Sequence, residues 1–285
     1  MLAMITSLRR LALALLLGFL SHTASAQEFR IYTRVMLENP PGAAAGAAKP
    51  TVIARSLTLF HAGKVYDYID SIGELIVFEP AQRRFLIVNT TRDVATSVNF
   101  DELHNLLRVA RNRTETYVDE LDSDGDEKSK LAAAQLRFQL NPDFEESWDN
   151  ENRRLTMSGR FLRYSALCAV EESSQEVVDT WLRYADAMAR LNYVLHPGAL
   201  FPEARVAVNA SLAKHRKLPV EVELMTNADT NIHLRARHEM HWEFDSKDRS
   251  QIRAWDSLIA AKASDLKSFK DYQRAVLGTQ DSKKK

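Results

Sequence analysis

His233, His238, Glu239 and His241 are side chains of the kind that hold zinc or another transition metal. The segment 231–244 around them reads as a β-strand. Its two-residue period sends His233, Glu239 and His241 to one face and His238, with Met240, Trp242 and Phe244, to the other. His238 and His241 then cannot chelate one ion from the same side. Their spacing also departs from the helical His-Glu-x-x-His pattern of metalloproteases. No metal site is expected, and His238 is expected to be a hydrogen-bonded histidine at the edge of an apolar face.

The run Asp122-Ser123-Asp124-Gly125-Asp126 invites a calcium reading. Placing Gly125 at the sixth position of the twelve-residue calcium loop puts Glu120 first and Leu131 last, where a bidentate carboxylate is required. A solvated acidic loop between helices is expected instead. Acyl-transfer chemistry needs a serine or cysteine beside a base, and neither a Gly-x-Ser-x-Gly elbow nor a Cys-Gly context occurs. The single cysteine, Cys168, lies on a predicted strand as a small core residue, and alone it excludes an intrachain disulfide. Gly-rich phosphate loops are absent, and no cofactor is implied. Three Asn-x-Ser/Thr triplets, at Asn89, Asn112 and Asn209, would matter only in a eukaryotic secretory host. No motif carries an enzyme assignment.

The elements are more legible than the chemistry. Five short strands are predicted at 52–60, 64–70, 74–79, 84–89 and 93–98, and Ala62-Gly63, Ser71-Ile72-Gly73, Pro80-Ala81-Gln82-Arg83 and Thr90-Thr91 supply the turns between them. Loops this short force sequential strands to pair. A two-residue turn at Ala62-Gly63 sets Leu59 opposite Tyr66, Leu57 opposite Tyr68 and Arg55 opposite Asp70. Continued through the next turns, that register places Phe78 beside Tyr66, Phe85 beside Phe78, and Ile76 between Tyr68 and Ile87. Leu57, Leu59, Tyr66, Tyr68, Ile76, Phe78, Phe85 and Ile87 would then share one face, the expected lining of any ligand cavity. Phe60, Val65, Ile69, Leu75, Val77, Leu86 and Val88 make the opposite face apolar as well, so both sides of the sheet must be covered.

Residues 1–26 read as a secretory signal: Arg9 and Arg10, then the apolar core 11–20, then Ala24-Ser25-Ala26 before the expected cleavage site. Ten apolar residues are too few for a bilayer-spanning helix, which needs about 20. An exported chain, periplasmic or secreted and without a stable transmembrane anchor, is expected. Arg9 and Arg10 are the only charged residues in the signal, so the remainder has 38 − 2 = 36 basic against 38 acidic side chains. That balance gives no electrostatic reason to expect nucleic acid. The rest reads as a single α+β domain over 27–280, with a flexible Pro/Ala/Gly loop at 39–50 and a disordered tail at 281–285.

A first strand is predicted at 27–37. Asn99 with Glu102 opens a helix of about five turns, and a second helix covers 131–140 up to Asn141-Pro142. Strands at 144–148 and 155–170 are followed by a helix capped by Ser173 and Glu176 that ends at His196-Pro197-Gly198. A shorter helix runs from Pro202 to about His215, a hairpin uses 218–225 and 231–244, and 248–277 is helical with Ile252, Trp255, Ile259, Leu266 and Phe269 inward. Trp181 and Trp255 are expected to be buried.

The fold class that follows is α+β: a curved, mainly antiparallel, half-barrel-like sheet of about eight or nine strands, covered by helices from 100–141, 174–195 and 248–277. This order of elements, with the Phe60-His61-Ala62-Gly63-Lys64-Val65-Tyr66 hairpin at its centre, resembles the periplasmic lipoprotein-carrier and outer-membrane lipoprotein-sorting superfamily over 27 to about 244. The resemblance implies a half-barrel lidded by helices that binds a lipid or lipoprotein acyl chain. It carries over no functional residue. A non-catalytic structural or protein-interaction domain of the cell envelope is the alternative, and an unrecognised hydrolase is a third; partner proteins and oligomeric state are open.

Overall fold

The computed structural model describes residues 28–39, 49–170, 173–196, 198–226 and 232–278. The expected signal, most of the 39–50 loop, the 227–231 turn and the tail lie outside them. Eleven strands form one open antiparallel sheet, not closed into a barrel, in place of the eight or nine expected. They are β1 (Phe29–Glu38), β2 (Thr51–His61), β3 (Lys64–Ile69), β4 (Glu74–Glu79), β5 (Arg84–Asn89), β6 (Val94–Asn99), β7 (Glu145–Asp149), β8 (Arg154–Ser158), β9 (Leu162–Cys168), β10 (Pro219–Thr226) and β11 (His233–His241). Their spatial order is β6-β5-β4-β3-β2-β1-β11-β10-β9-β8-β7. The first strand therefore joins the two halves, pairing β2 on one side and β11 on the other.

The predicted 155–170 strand is two strands. Gly159 N–H donates to the Leu162 carbonyl and turns the chain between them. A Cβ on Gly159 would sit 2.3 Å from the Phe138 ring, so only glycine fits there without displacing it.

The meander β2–β6 falls within a residue of its expected bounds, but its second turn differs. Asp70–Ile72 forms a 3₁₀ turn closed by Gly73 at φ 61°, which removes Asp70 from the strand and lengthens the loop by one residue. Val65 therefore pairs Phe78, Tyr66 pairs Val77 and Asp67 pairs Ile76. The expected Phe78–Tyr66 and Ile76–Tyr68 neighbours do not occur, whereas Leu59–Tyr66, Leu57–Tyr68, Phe78–Phe85 and Ile76–Ile87 do. Arg55 lies opposite Arg34 rather than Asp70. A one-residue shift exchanges faces, so the expected single row is split in two.

Among the described residues six helices accompany the sheet: α1 (Phe100–Asp124), α2 (Glu127–Leu140), α3 (Gln175–Leu195), α4 (Glu203–His215), α5 (Ser246–Lys262) and α6 (Phe269–Leu277). Their starts are set locally. Asn99 accepts from Glu102 N–H, Asp126 caps α2 from within the acidic run, and Ser174 rather than Ser173 caps α3. The inner face, with Phe60, Val65, Ile76, Phe78, Phe85 and Ile87, forms one core with α3, α4, Leu103 of α1 and Tyr272 of α6. The outer face, with Leu59, Tyr66, Leu75, Val77, Leu86 and Val88, packs beneath Ile252 and Trp255 of α5, and Phe244 joins this side rather than that of His238. Both sides of β2–β6 are thus covered. The outer face of β10 and β11 instead carries ion pairs such as Arg235–Glu223 and Arg237–Glu221. Trp181 and Trp255 are buried, but the predicted 248–277 helix breaks at 263–268. There Lys267 N–H donates to the Ala95 carbonyl and Thr96 Oγ1 to the Lys267 carbonyl, pinning the segment to β6 and leaving Leu266 exposed.

Candidate ligand cavity

Between the inner face and α3 lies a cavity of about 450 Å³. Ile31, Thr33 and Val35 come from β1, Val222 and Leu224 from β10, and Leu234, Ala236 and His238 from β11. Trp181, Tyr184 and Met188 close it from α3, and Arg205 enters from α4. The size falls in the range of small-molecule sites, and the lining has their usual character: apolar walls with a few polar groups.

The polar groups are of two kinds. Asp67 is enclosed, and burial pushes its carboxyl above the usual range; the Thr58 hydroxyl, donating at 2.8 Å, and the nearby Tyr184 hydroxyl pull it back. That group is satisfied internally. Arg205, His238 and Asn192 are not. Burial lowers the Arg205 pKa, and among the described residues no carboxylate lies within ion-pair distance of its guanidinium. His238 Nδ1 and Thr33 Oγ1 are hydrogen-bonded at 2.9 Å, while His238 Nε2 and Asn192 Oδ1 are buried without a partner. Burial, helped by the Arg205 charge, pushes the His238 pKa down to about 3, so the ring is neutral at physiological pH. Its place is therefore inside the sheet–helix space, across from Trp181, rather than at the edge of an apolar face.

None of the eight residues predicted to line a cavity lines this one. Leu57, Leu59, Tyr66 and Tyr68 lie on the outer face with α5. Ile76 and Ile87 are filled core on the inner face. Phe78 and Phe85 line a separate groove of about 520 Å³ between the ends of β4 and β5, α1 and α3, whose walls include Phe100 and Leu103. Tyr184 stands between the two spaces, lining the cavity and lying 6.3 Å, centroid to centroid, from Phe78. The residues missed in the sequence had a signal. Asp67 interrupts an apolar run, and Arg205 sits on the same helical stripe as the buried Val208 and Leu212.

Among the described residues, no group of three or more His, Cys, Asp or Glu side chains could hold a metal ion. No described helix is long and apolar enough to cross a membrane.

No protein-family model and no curated protein matches the chain. Among solved structures, a LolA superfamily protein from Nitrosomonas europaea is similar with a TM-score of 0.28 at 6% identity, over 78% of this chain and 89% of that one. A likeness this distant carries none of that protein's properties to this chain.

Proposed function

We propose that this protein is an exported, non-catalytic carrier or binding protein for an apolar ligand such as a lipid or acyl chain, held between the sheet and α3. The observation behind this reading is the cavity itself: about 450 Å³ of space walled by Ile31, Val35, Leu224 and Met188 between the inner face and α3. A concave, largely apolar space with a few polar groups is the usual form of a small-molecule site. The polar groups favour binding over catalysis. A general base works best with a pKa near the working pH, and His238, at about 3, takes up no proton there. The Thr33–His238 contact is therefore a positioning hydrogen bond and not an activated hydroxyl.

Native mass spectrometry of the protein expressed with its leader, followed by solvent extraction, tests this reading. The expected result is a bound adduct recovered as an extractable lipid. A clean unliganded mass, together with no binding of a fluorescent fatty-acid probe by the delipidated chain, would favour the structural or interaction role instead.

A further inference from the structure

The carrier reading leaves the ligand's head group open, and the polar end of the cavity narrows it. Among the described residues Arg205 is the one lysine or arginine in the lining, and it stays protonated in any protein environment. Arg205 is half-buried, and a guanidinium that lines a largely apolar space without a counter-charge is well placed to receive a carboxylate or a phosphate. The Asp186 carboxylate acts on Arg205 from beyond ion-pair distance and accepts from Asn209 Nδ2 at 2.7 Å. Asp67, the acid within the lining, is engaged by Thr58. His238 adds a second group. In the tautomer whose Nδ1 accepts from the Thr33 hydroxyl, the ring proton sits on Nε2, a buried atom with no partner among the described residues and free to donate to an anion. Arg205 and His238 both line the one space.

We propose that the cavity takes a single-chain amphiphile with an anionic head, carboxylate or phosphate, bound by the Arg205 guanidinium and the His238 Nε2–H while its chain runs along the apolar wall. This inference rests on the carrier reading and goes beyond it. A neutral acylglycerol moiety offers the arginine no charge, whereas a fatty acid or an alkyl phosphate offers a bidentate acceptor.

Calorimetric titration of the delipidated full chain with laurate, dodecyl phosphate and dodecanol, each below its aggregation concentration, tests it. The three share one chain length, and an anionic head is the costlier one to desolvate. Preference for it must therefore come from the site. Wild-type protein is expected to bind laurate or dodecyl phosphate about ten- to a hundredfold more tightly than dodecanol, the range of one or two charge-assisted hydrogen bonds. Which of the two anions binds better identifies the source of the head group. In Arg205→Met the ratio is expected to fall to within about threefold of unity, and in Arg205→Lys to keep part of its size. If Arg205→Met does not fold, the wild-type ratio and its reduction in Arg205→Lys decide the matter. Equal affinities for all three ligands in wild type, or an undiminished preference in Arg205→Met, would overturn the head-group assignment and leave the carrier reading standing. No binding of any of the three would overturn both.

Discussion

Truncating Leu59 to alanine separates the two faces of the sheet. Leu59 has no exposed surface and lies in the outer cluster with Tyr66, Ile252 and Trp255, away from the ligand cavity. Fully buried Leu→Ala changes cost about 2–5 kcal/mol, and a site between a sheet and a single covering helix can partly collapse, so about 3 kcal/mol is expected. At roughly 2–4 °C per kcal/mol for a domain of this size, the melting temperature should drop by roughly 6–12 °C. Ligand affinity, measured below the transition with a fluorescent fatty-acid probe, should change by less than about twofold, since mutations with no shared partners act independently. Met188→Ala is the control: Met188 lines the cavity, so this variant should weaken binding by about tenfold, the order of one lost side-chain contact area. Phe78→Ala should cost about 3 kcal/mol, at the lower end for a buried Phe. It loses its partners Phe85 and Phe100, at 5.2 and 5.8 Å, but already faces the open groove. A folded Leu59→Ala protein that lost as much affinity as Met188→Ala would show that the two faces are not divided as described.

Three further outcomes are expected. Burial pushes the Glu79 carboxyl up, but Lys64 at 2.6 Å and Arg84 at 2.7 Å outweigh it and hold the pKa below the usual value. Its stabilisation is therefore present above the unfolded-state value and is lost as pH falls through the depressed folded one. Glu79→Gln should cost about 1–2 kcal/mol at neutral pH, limited by the partial exposure of both cations. By urea titration the gap to wild type should close in acid, and a gap that persisted at low pH would count against the ion pairs as its source. Gly159→Ala should lower the urea midpoint by the equivalent of about 1–3 kcal/mol. The added methyl meets a Phe138 ring already held between Phe144 and Phe161, and a neutral result would mean that this ring can move. Intact-mass measurement of the exported protein should show an N-terminus at Gln27, free or cyclised; retention of residues 1–26 would exclude the cleavage expected after Ala26.

Much of the architecture was local and could be read from the chain. The meander strands are bounded by turn residues a few positions away, and Ala62-Gly63, at φ 49° and 74°, sets the β2–β3 register without outside help. Helix starts are equally local, since Asn99 bonds an amide only three residues along. The β3–β4 register was different: Asp70 could continue the strand or leave it at little local cost. Glu74 ties the observed choice to distant residues, because it is buried on the inner face, where Tyr272 Oη donates to it at 3.1 Å and His196 Nε2 lies at 3.3 Å. A slip of one residue would turn that carboxylate to the outer face and forfeit both partners. The cavity is likewise a tertiary product. Arg205, His238 and Tyr184 come from α4, β11 and α3, and no spacing within any one of these segments records that they line one space. Local pattern settles which segments form strands and helices and that both faces of β2–β6 need cover. Which face each residue took, and where an apolar space with an unpaired cation was left, depended on contacts between elements far apart in the chain.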